Sequence, residues 1–321
     1  DMDSFKMGSR FANKIWNAVR FLLMNMEGRE LVSISKERLS TMDKWIYTRF
    51  NESVKAIDAA MENYRFNEAA QAVYSFFWND FCDWYVEATK QRLLKGSQEE
   101  QNLSISIMID LLDKSMKMMH PFLSFITEEI YQKLPTTKEG DELITQLYPA
   151  ADDDFNFPEE AKQVESLQEA VRIVRSVRSQ LSIPPEKKVK VVIRPSQSFA
   201  GAALFSAESS LMASFTNASE FIIDNDGCED VSDALPSSAI GYEIFTFVKD
   251  AIDIPSEIRK LTLEIEKARK QLEGTMKKLS NPQFLQNAKK EAIAKEEGKK
   301  AEFEELISKN EEHIELLGKL G

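Results

Sequence analysis

Apolar residues recur at intervals of three and four along most of the chain, and a few proline, glycine and polar breaks divide that pattern into helices. The first pattern runs from Phe5 to Met26 without a proline and meets a helix stop at Gly28. At 100° per residue, Phe11, Ala12, Ile15, Trp16, Val19, Leu22 and Leu23 fall within about 140° of arc, a core-facing stripe. The opposite arc carries Arg10, Asn13, Lys14, Asn17, Arg20 and Met24, with Phe21 at its centre. An aromatic on a polar face calls for a reason. It either packs on a neighbouring element or meets a ligand.

Further helices are predicted over about 40–66, 67–95 and 101–134, the last ended by Pro135. The second of these places Phe66, Ala70, Val73, Phe77, Phe81, Trp84 and Ala88 on one line, an aromatic core spine. Pro121 biases His120 away from helical angles and predicts a bend there. Residues 136–158, which contain Asp152–Asp153–Asp154, read as a linker or wrapping loop, and a helix follows over 159–181. Past Pro184–Pro185 the period shortens to two: 188–194, 220–224 and 241–249 read as strands, with a helix possible in the Ala/Ser-rich stretch 199–215.

From Ile258 the apolar positions alternate three and four through Leu261, Ile265, Ala268, Leu272, Thr275 and Leu279. A break at Ser280–Gln283 precedes a second seam, Ile293, Lys300, Phe303, Ile307, Asn310, Ile314 and Leu317. Two seams joined by a turn predict an antiparallel coiled-coil hairpin, and its first helix, of about 22 residues, would reach roughly 33 Å. Lys300 and Asn310 at seam positions predict register-setting contacts. The fold class is therefore mainly α: a helical bundle over 1–135, a helix and small acidic α/β subdomain over 136–256, and a coiled-coil arm over 257–321.

Charge changes the picture more than composition does. The net charge of −12 is uneven: 1–135 carries −2, 136–256 carries −11 and 257–321 carries +1. Either end is thus open to a polyanion, while the middle reads as a spacer that repels one. Two Cys and two His, all far apart in sequence, leave no zinc knuckle, CxxC pair or disulfide framework, which fits a reducing cytoplasmic setting. No apolar run reaches the 18–20 or so residues that span a bilayer. Asp80 and Asp83 lack a matching acid or base, Cys82 reads as a small buried hydrophobe, and the acidic turn around Cys228 does not match an EF-hand. Arg172, Arg175 and Arg178 recur every three residues; Glu165 and Glu169 nearby favour intrahelical salt bridges over phosphate contacts.

Three segments, GSRFANKIWNAVRFLLMN (8–25), WNDFCDWYVEATK (78–90) and MHPFLSFITEEIYQKLP (119–135), resemble the anticodon-binding bundle of the valyl-tRNA synthetases. VRSVRSQLSIPPEKKVKVVI resembles the joint that follows that bundle, and LTLEIEKARKQLEGTMKKLSNPQFLQNA resembles the family's C-terminal coiled coil. Isoleucyl enzymes tend instead to end in a cysteine-rich zinc module, which two cysteines do not permit. The resemblance implies that Lys14 and Phe21 contact the anticodon loop, in a patch with Arg10, Asn13, Asn17 and Arg20. Stacking on an aromatic beside hydrogen-bonding and basic groups is how unpaired bases are read.

It further implies that the arm braces the outer corner of tRNA, with Lys267, Arg269, Lys270, Lys277 and Lys278 as candidate phosphate contacts. No HIGH-type or KMSKS-type signature and no glycine-rich phosphate cradle occurs in these residues. The expected partners are tRNA(Val) and the catalytic and editing domains of the same enzyme, with no metal or membrane and a monomeric state. ATP is expected as a cofactor of the full-length enzyme and none for this stretch, which is expected to be inactive alone. A module that binds protein partners through its helical faces is the competing reading.

Overall fold

The computed structural model describes residues 2–281 and 290–318. Packing divides the chain into two compact units, Asp1–Glu165 and Ser166–Gly321.

The first unit is helical. It comprises α1 (Met2–Met24), α2 (Thr41–Glu62), α3 (Phe66–Tyr74), a π-helical stretch (Ser75–Val86), α4 (Glu87–Lys95), α5 (Gln98–Met119) and α6 (Ser124–Tyr131). Both α2 and α5 begin with a capping box, Ser40 with Asp43 and Ser97 with Glu100, which satisfies backbone N–H groups that a helix start leaves open. A break separates α5 from α6, but His120 itself keeps helical angles, φ −54° and ψ −40°, and the chain leaves them at Leu123, φ −137° and ψ 52°; the His120 Nδ1 lies 2.9 Å from Thr127 Oγ1.

The aromatic spine is present in a different register. Ala69, Val73, Phe77, Phe81, Tyr85 and Thr89 are buried at strict intervals of four, whereas Phe66 is exposed and Trp84 is half-buried. A 3.6-residue helix would let that row drift off the core, but the wider π turns within it restore the alignment. Tyr85 thereby takes the core position expected of Trp84. Phe77 and Phe81 stand 5.4 Å apart, and Phe81 and Tyr85 6.3 Å apart, by ring centroids.

The stretch after Pro135 is a wrapping segment that belongs to the bundle. The Asn51 side chain donates to the carbonyls of Asp152 and Phe155 at 2.7 and 2.9 Å and accepts from the Asp152 N–H at 3.0 Å. The Phe157 N–H donates to Thr48 Oγ1 at 2.8 Å. Lys36 and Lys55 meet Asp154 and Asp153, each at 2.8 Å, so the acidic run is spent on holding the segment to α2 and its approach.

The second unit begins within α7 (Pro158–Gln180) and contains β1 (Val189–Pro195), α8 (Ala202–Ala207), α9 (Ser209–Thr216), β2 (Ala218–Ile223), β3 (Leu235–Ala239) and β4 (Tyr242–Phe247). The sheet order is β2-β1-β4-β3, with β1 parallel to β2 and antiparallel to β4. Strand β3 carries no strand signal in LPSSA, and its Pro236 is tolerated because β3 lies at the sheet edge. A two-residue turn joins β3 to β4; it requires Gly241, at φ +90°, where a Cβ would stand 2.8 Å from the Phe199 ring.

Helices α10 (Ile254–Leu279) and α11 (Lys290–Gly318) form the arm. Asp253 caps α10 by accepting from the Ser256 N–H, and α10 runs for 26 residues. Leu261, Ile265, Ala268 and Thr275 are buried on one side, with Asn310 and Leu317 on the other. Contacts run in opposite directions along the two helices, from Glu264 with Asn310 to Lys278 with Glu296, as an antiparallel pair requires. Asn310 donates to Glu264 Oε2 at 3.4 Å, and Lys300 meets Glu304 instead of a seam partner. The predicted turn at Pro282–Gln283 lies outside the described residues.

Candidate nucleic-acid interface

Helix α1 buries Phe11, Ile15, Ala18, Val19 and Leu22. On the helical wheel this stripe is centred about 40° away from the predicted one. Trp16, at the edge of the predicted stripe, is consequently 42% exposed, while Lys14 and Phe21, placed on the polar arc, are half-buried. Arg10, Asn13, Asn17 and Arg20 remain exposed, and none has a hydrogen-bond or ion-pair partner among the described residues.

The two family-implied contacts are already engaged. Lys14 forms an ion pair with Asp83 and stands 5.3 Å over the Trp78 ring, which itself stacks on Tyr74 and Phe11. Phe21 carries the Lys90 ammonium 5.6 Å above its ring. Lys90 also meets Glu87 at 2.6 Å. A cation over an aromatic face is favourable and leaves a positive charge beside any base that stacks there. Lys90 was not singled out from the sequence; it comes from α4, and only the packing of α4 beside α1 reveals it.

The other candidates near this surface separate. Asp80 bonds to Arg49 at 3.1 Å, and burial raises its carboxyl despite that charge, while Asp83 belongs to Lys14. They do not form a carboxylate pair. Burial pushes the Cys82 thiol up to about 12. At pH 8, alkylation is therefore expected to modify exposed Cys228 and to spare Cys82 until the protein unfolds, as mass spectrometry of labelled peptides would show. Rapid labelling of native Cys82 would contradict this burial.

On the arm, Lys267 and Lys270 are exposed and have no ion pair among the described residues. Arg269 meets Glu311 at 2.6 Å, Lys277 meets Glu273 at 2.7 Å and Lys278 meets Glu296 at 3.5 Å. The first two pairs, exposed on both sides, are worth about 0–1 kcal/mol, so a phosphate can displace them at small cost, whereas Glu296 is buried. Arg259, also exposed and without an ion pair among the described residues, extends the same helix's basic set.

The arginine row of α7 departs from expectation. Arg175 Nε donates to the Phe215 carbonyl at 2.8 Å, and Arg178 donates to the carbonyls of Pro184 and Lys187 at 3.3 and 2.8 Å. Glu169 accepts from the Tyr242 hydroxyl at 3.3 Å, so the expected intrahelical bridges are replaced by bonds to the last turn of α9, to loop backbone and to the sheet. In the acidic turn, Arg194 bonds Asp224 at 2.8 and 2.9 Å, and the N–H groups of Cys228 and Glu229 donate to the same carboxylate. No cluster able to hold a metal ion occurs among the described residues. Nor is any helix among them long and apolar enough to cross a membrane.

Comparison with known proteins gives these surfaces a context. A family model described as the anticodon-binding domain of tRNA ligase matches residues 43–193, and one described as the valyl tRNA synthetase tRNA binding arm matches 253–318, which is α10 and α11. The valine–tRNA ligase of Treponema denticola is 37% identical over 335 residues, covering 98% of this chain and 36% of the relative. That of Thermotoga maritima is 36% identical over 320 residues, covering 98% and 34%, and that of Aquifex aeolicus 32% over 331, covering 98% and 28%. The chain is similar to the valyl-tRNA synthetases along nearly all of its length. It spans about a third of the length of the curated relatives it matches and is similar to a C-terminal fragment of a valyl-tRNA synthetase. Helix α1, with its six candidate residues, precedes the matched anticodon-binding stretch, whereas the arm candidates all lie within the matched arm.

Proposed function

We propose that this chain holds tRNA at two places: the exposed edge of α1, with Arg10, Asn13, Lys14, Asn17, Arg20 and Phe21, reads the anticodon loop, and the α10–α11 arm braces the tRNA corner through Lys267, Arg269, Lys270, Lys277 and Lys278. The observation that carries this reading is the arm itself. Leu261, Ile265, Ala268 and Leu317 turn inward, the arm's sequence matches the family's tRNA-binding arm, and Lys267 and Lys270 are left without ion pairs among the described residues. The working partition is 1–135 for anticodon reading, 136–256 as the connecting part and 257–321 as the arm.

The whole protein in this reading is a cytoplasmic, monomeric enzyme that attaches valine to tRNA(Val) with ATP, its catalytic and editing domains being further partners of this part. The residues present do not fit ATP: the β1-to-α8 connection holds a single glycine, Gly201, faced by the Phe199 ring, and no family nucleotide signature is present. No step here runs through ATP. This chain alone is expected to show no valine-dependent ATP–pyrophosphate exchange; measurable exchange would overturn that assignment.

Binding of a valine-accepting tRNA transcript, titrated with salt, tests the central claim. Contacts to several phosphates predict a steep log–log decline, with a slope near the number of contacts. An anticodon-swapped transcript is expected to bind more weakly at every salt concentration. Salt-sensitive binding that ignores the swap would leave the arm and remove the anticodon claim, and salt-insensitive binding would point to an apolar protein-like interface.

A further inference from the structure

The acidic charge of 136–256 conceals a local reversal. Of the ten basic residues in this stretch, six lie between 172 and 190, where Glu186 is the one acid. Two of them, Arg175 and Arg178, line a cleft of about 610 Å³ at the C-terminal end of α7, together with Ser179, Ser182, Phe215 and Asn217 among others, whereas Lys190 is held by Glu229 at 2.9 Å. Ser182 and Asn217, both bordering the cleft, hold left-handed backbones at φ 49° and 51°, uncommon for residues with a Cβ.

Arg178 is the unusual member. It is 9% exposed, it has no carboxylate partner among the described residues, and its Nη1 lies enclosed without a hydrogen-bond acceptor. Its two carbonyl acceptors, Pro184 and Lys187, supply dipoles but no counter-charge, and burial alone pulls its pKa down. A buried cation without a counter-ion is costly, and an anion above it offsets that cost. Arg175, which lines the cleft, uses only Nε on protein, with its guanidinium 5.5 Å over the Phe215 ring, and so leaves its two terminal nitrogens without an acceptor among the described residues. Lys187 and Lys188 are exposed and have no ion pair among the described residues.

We propose that this cleft seats a backbone phosphate of the bound RNA, with Arg175 donating to the phosphate, Ser179 and Ser182 offering hydroxyls, and Arg178 supplying positive charge beneath it. Several cations spread along 172–190 suit a polyanion better than a lone small phosphate. The proposal rests on the RNA-binding reading and adds a third contact, in the part of the chain whose net charge argues against one.

Two readouts separate the two ideas. In salt titrations with the tRNA transcript, Arg175→Gln and, independently, Lys187→Gln are each expected to weaken binding and to make the log–log slope shallower by about 1, while Lys249→Gln, an exposed lysine outside the cleft, leaves the slope unchanged. Thermal melts check that each variant is folded. The second readout follows the Nε–Hε NMR signals of Arg175 and Arg178 in the full chain during titration with hexauridylate or with inorganic phosphate at fixed ionic strength. Signals that move with hexauridylate support the cleft even if the transcript fails to bind, in which case the tRNA reading falls alone. Signals that move only with inorganic phosphate overturn the RNA assignment. Signals that stay still, or unchanged slopes in both variants while the transcript binds, overturn the cleft proposal and leave the tRNA reading intact.

Discussion

Replacing Asp43 with alanine is expected to lower the unfolding free energy by about 3–5 kcal/mol, the range for breaking a buried ion pair and stranding its partner. Asp43 is fully buried at the start of α2 and binds Arg92 through both oxygens, at 2.7 and 2.8 Å. It also accepts from the Tyr85 hydroxyl at 2.6 Å and from the Ser40 N–H and hydroxyl at 2.9 and 2.8 Å. One carboxylate therefore caps α2, ties it to α4 and satisfies the phenol of the aromatic spine. Burial on its own would raise the Asp43 pKa, but the Arg92 charge and the hydrogen bonds from Arg92, Tyr85 and Ser40 overcome it, so the folded value is lowered. The sign follows: the contribution is complete above the unfolded value of about 4 and is lost as pH falls through the folded value below it. Urea unfolding of both proteins should show the gap between wild type and Asp43→Ala closing below about pH 4. A gap under 1 kcal/mol at pH 7 would mean that the pair adds little beyond what water supplies.

Phe21→Ala is expected to weaken tRNA binding by about 1–3 kcal/mol, the usual worth of one base stacked on an aromatic ring. The half-buried ring makes the control essential, because a packing role on α4 would appear as lost stability with RNA affinity unchanged. Lys90→Met separates the contributions further. It removes the charge over the ring while keeping an apolar chain on it. If Phe21 stacks a base next to a phosphate held by Lys90, the two substitutions are coupled, and their combined cost differs from the sum of the separate costs. Additive losses would mean that the ring and the ammonium act on different parts of the RNA.

Long periodic segments were legible without a structure. Helices α1, α2, α5, α7 and α10 and strands β1, β2 and β4 all fall within a few residues of their predicted places, because each carries an uninterrupted period of its own. Strand β3 was not, since LPSSA is weakly apolar and is a strand only by pairing with β4. The register of the spine was misread because the 3.6-residue period does not hold through Ser75–Val86. The candidate surface was legible in its residue types and not in their state. That Lys14 is held by Asp83, that Lys90 covers Phe21 and that Arg175 and Arg178 turn to backbone carbonyls outside α7 are all tertiary facts, arising between residues up to 69 positions apart. Net charge by segment was the least informative guide, since averaging over 136–256 hid the basic cluster of 172–190.

The π winding of Ser75–Val86 also works as a gauge of azimuth. Side chains along this row advance by about 90° per residue, so deleting one residue while the wide winding persists would swing all of α4 around its axis. Arg92 would leave Asp43 and Lys90 would leave Phe21 in the same movement. The spare residue stored in those wide turns thus couples the stability of the bundle to the composition of its outer face, and a change in length there would be felt at both while touching neither.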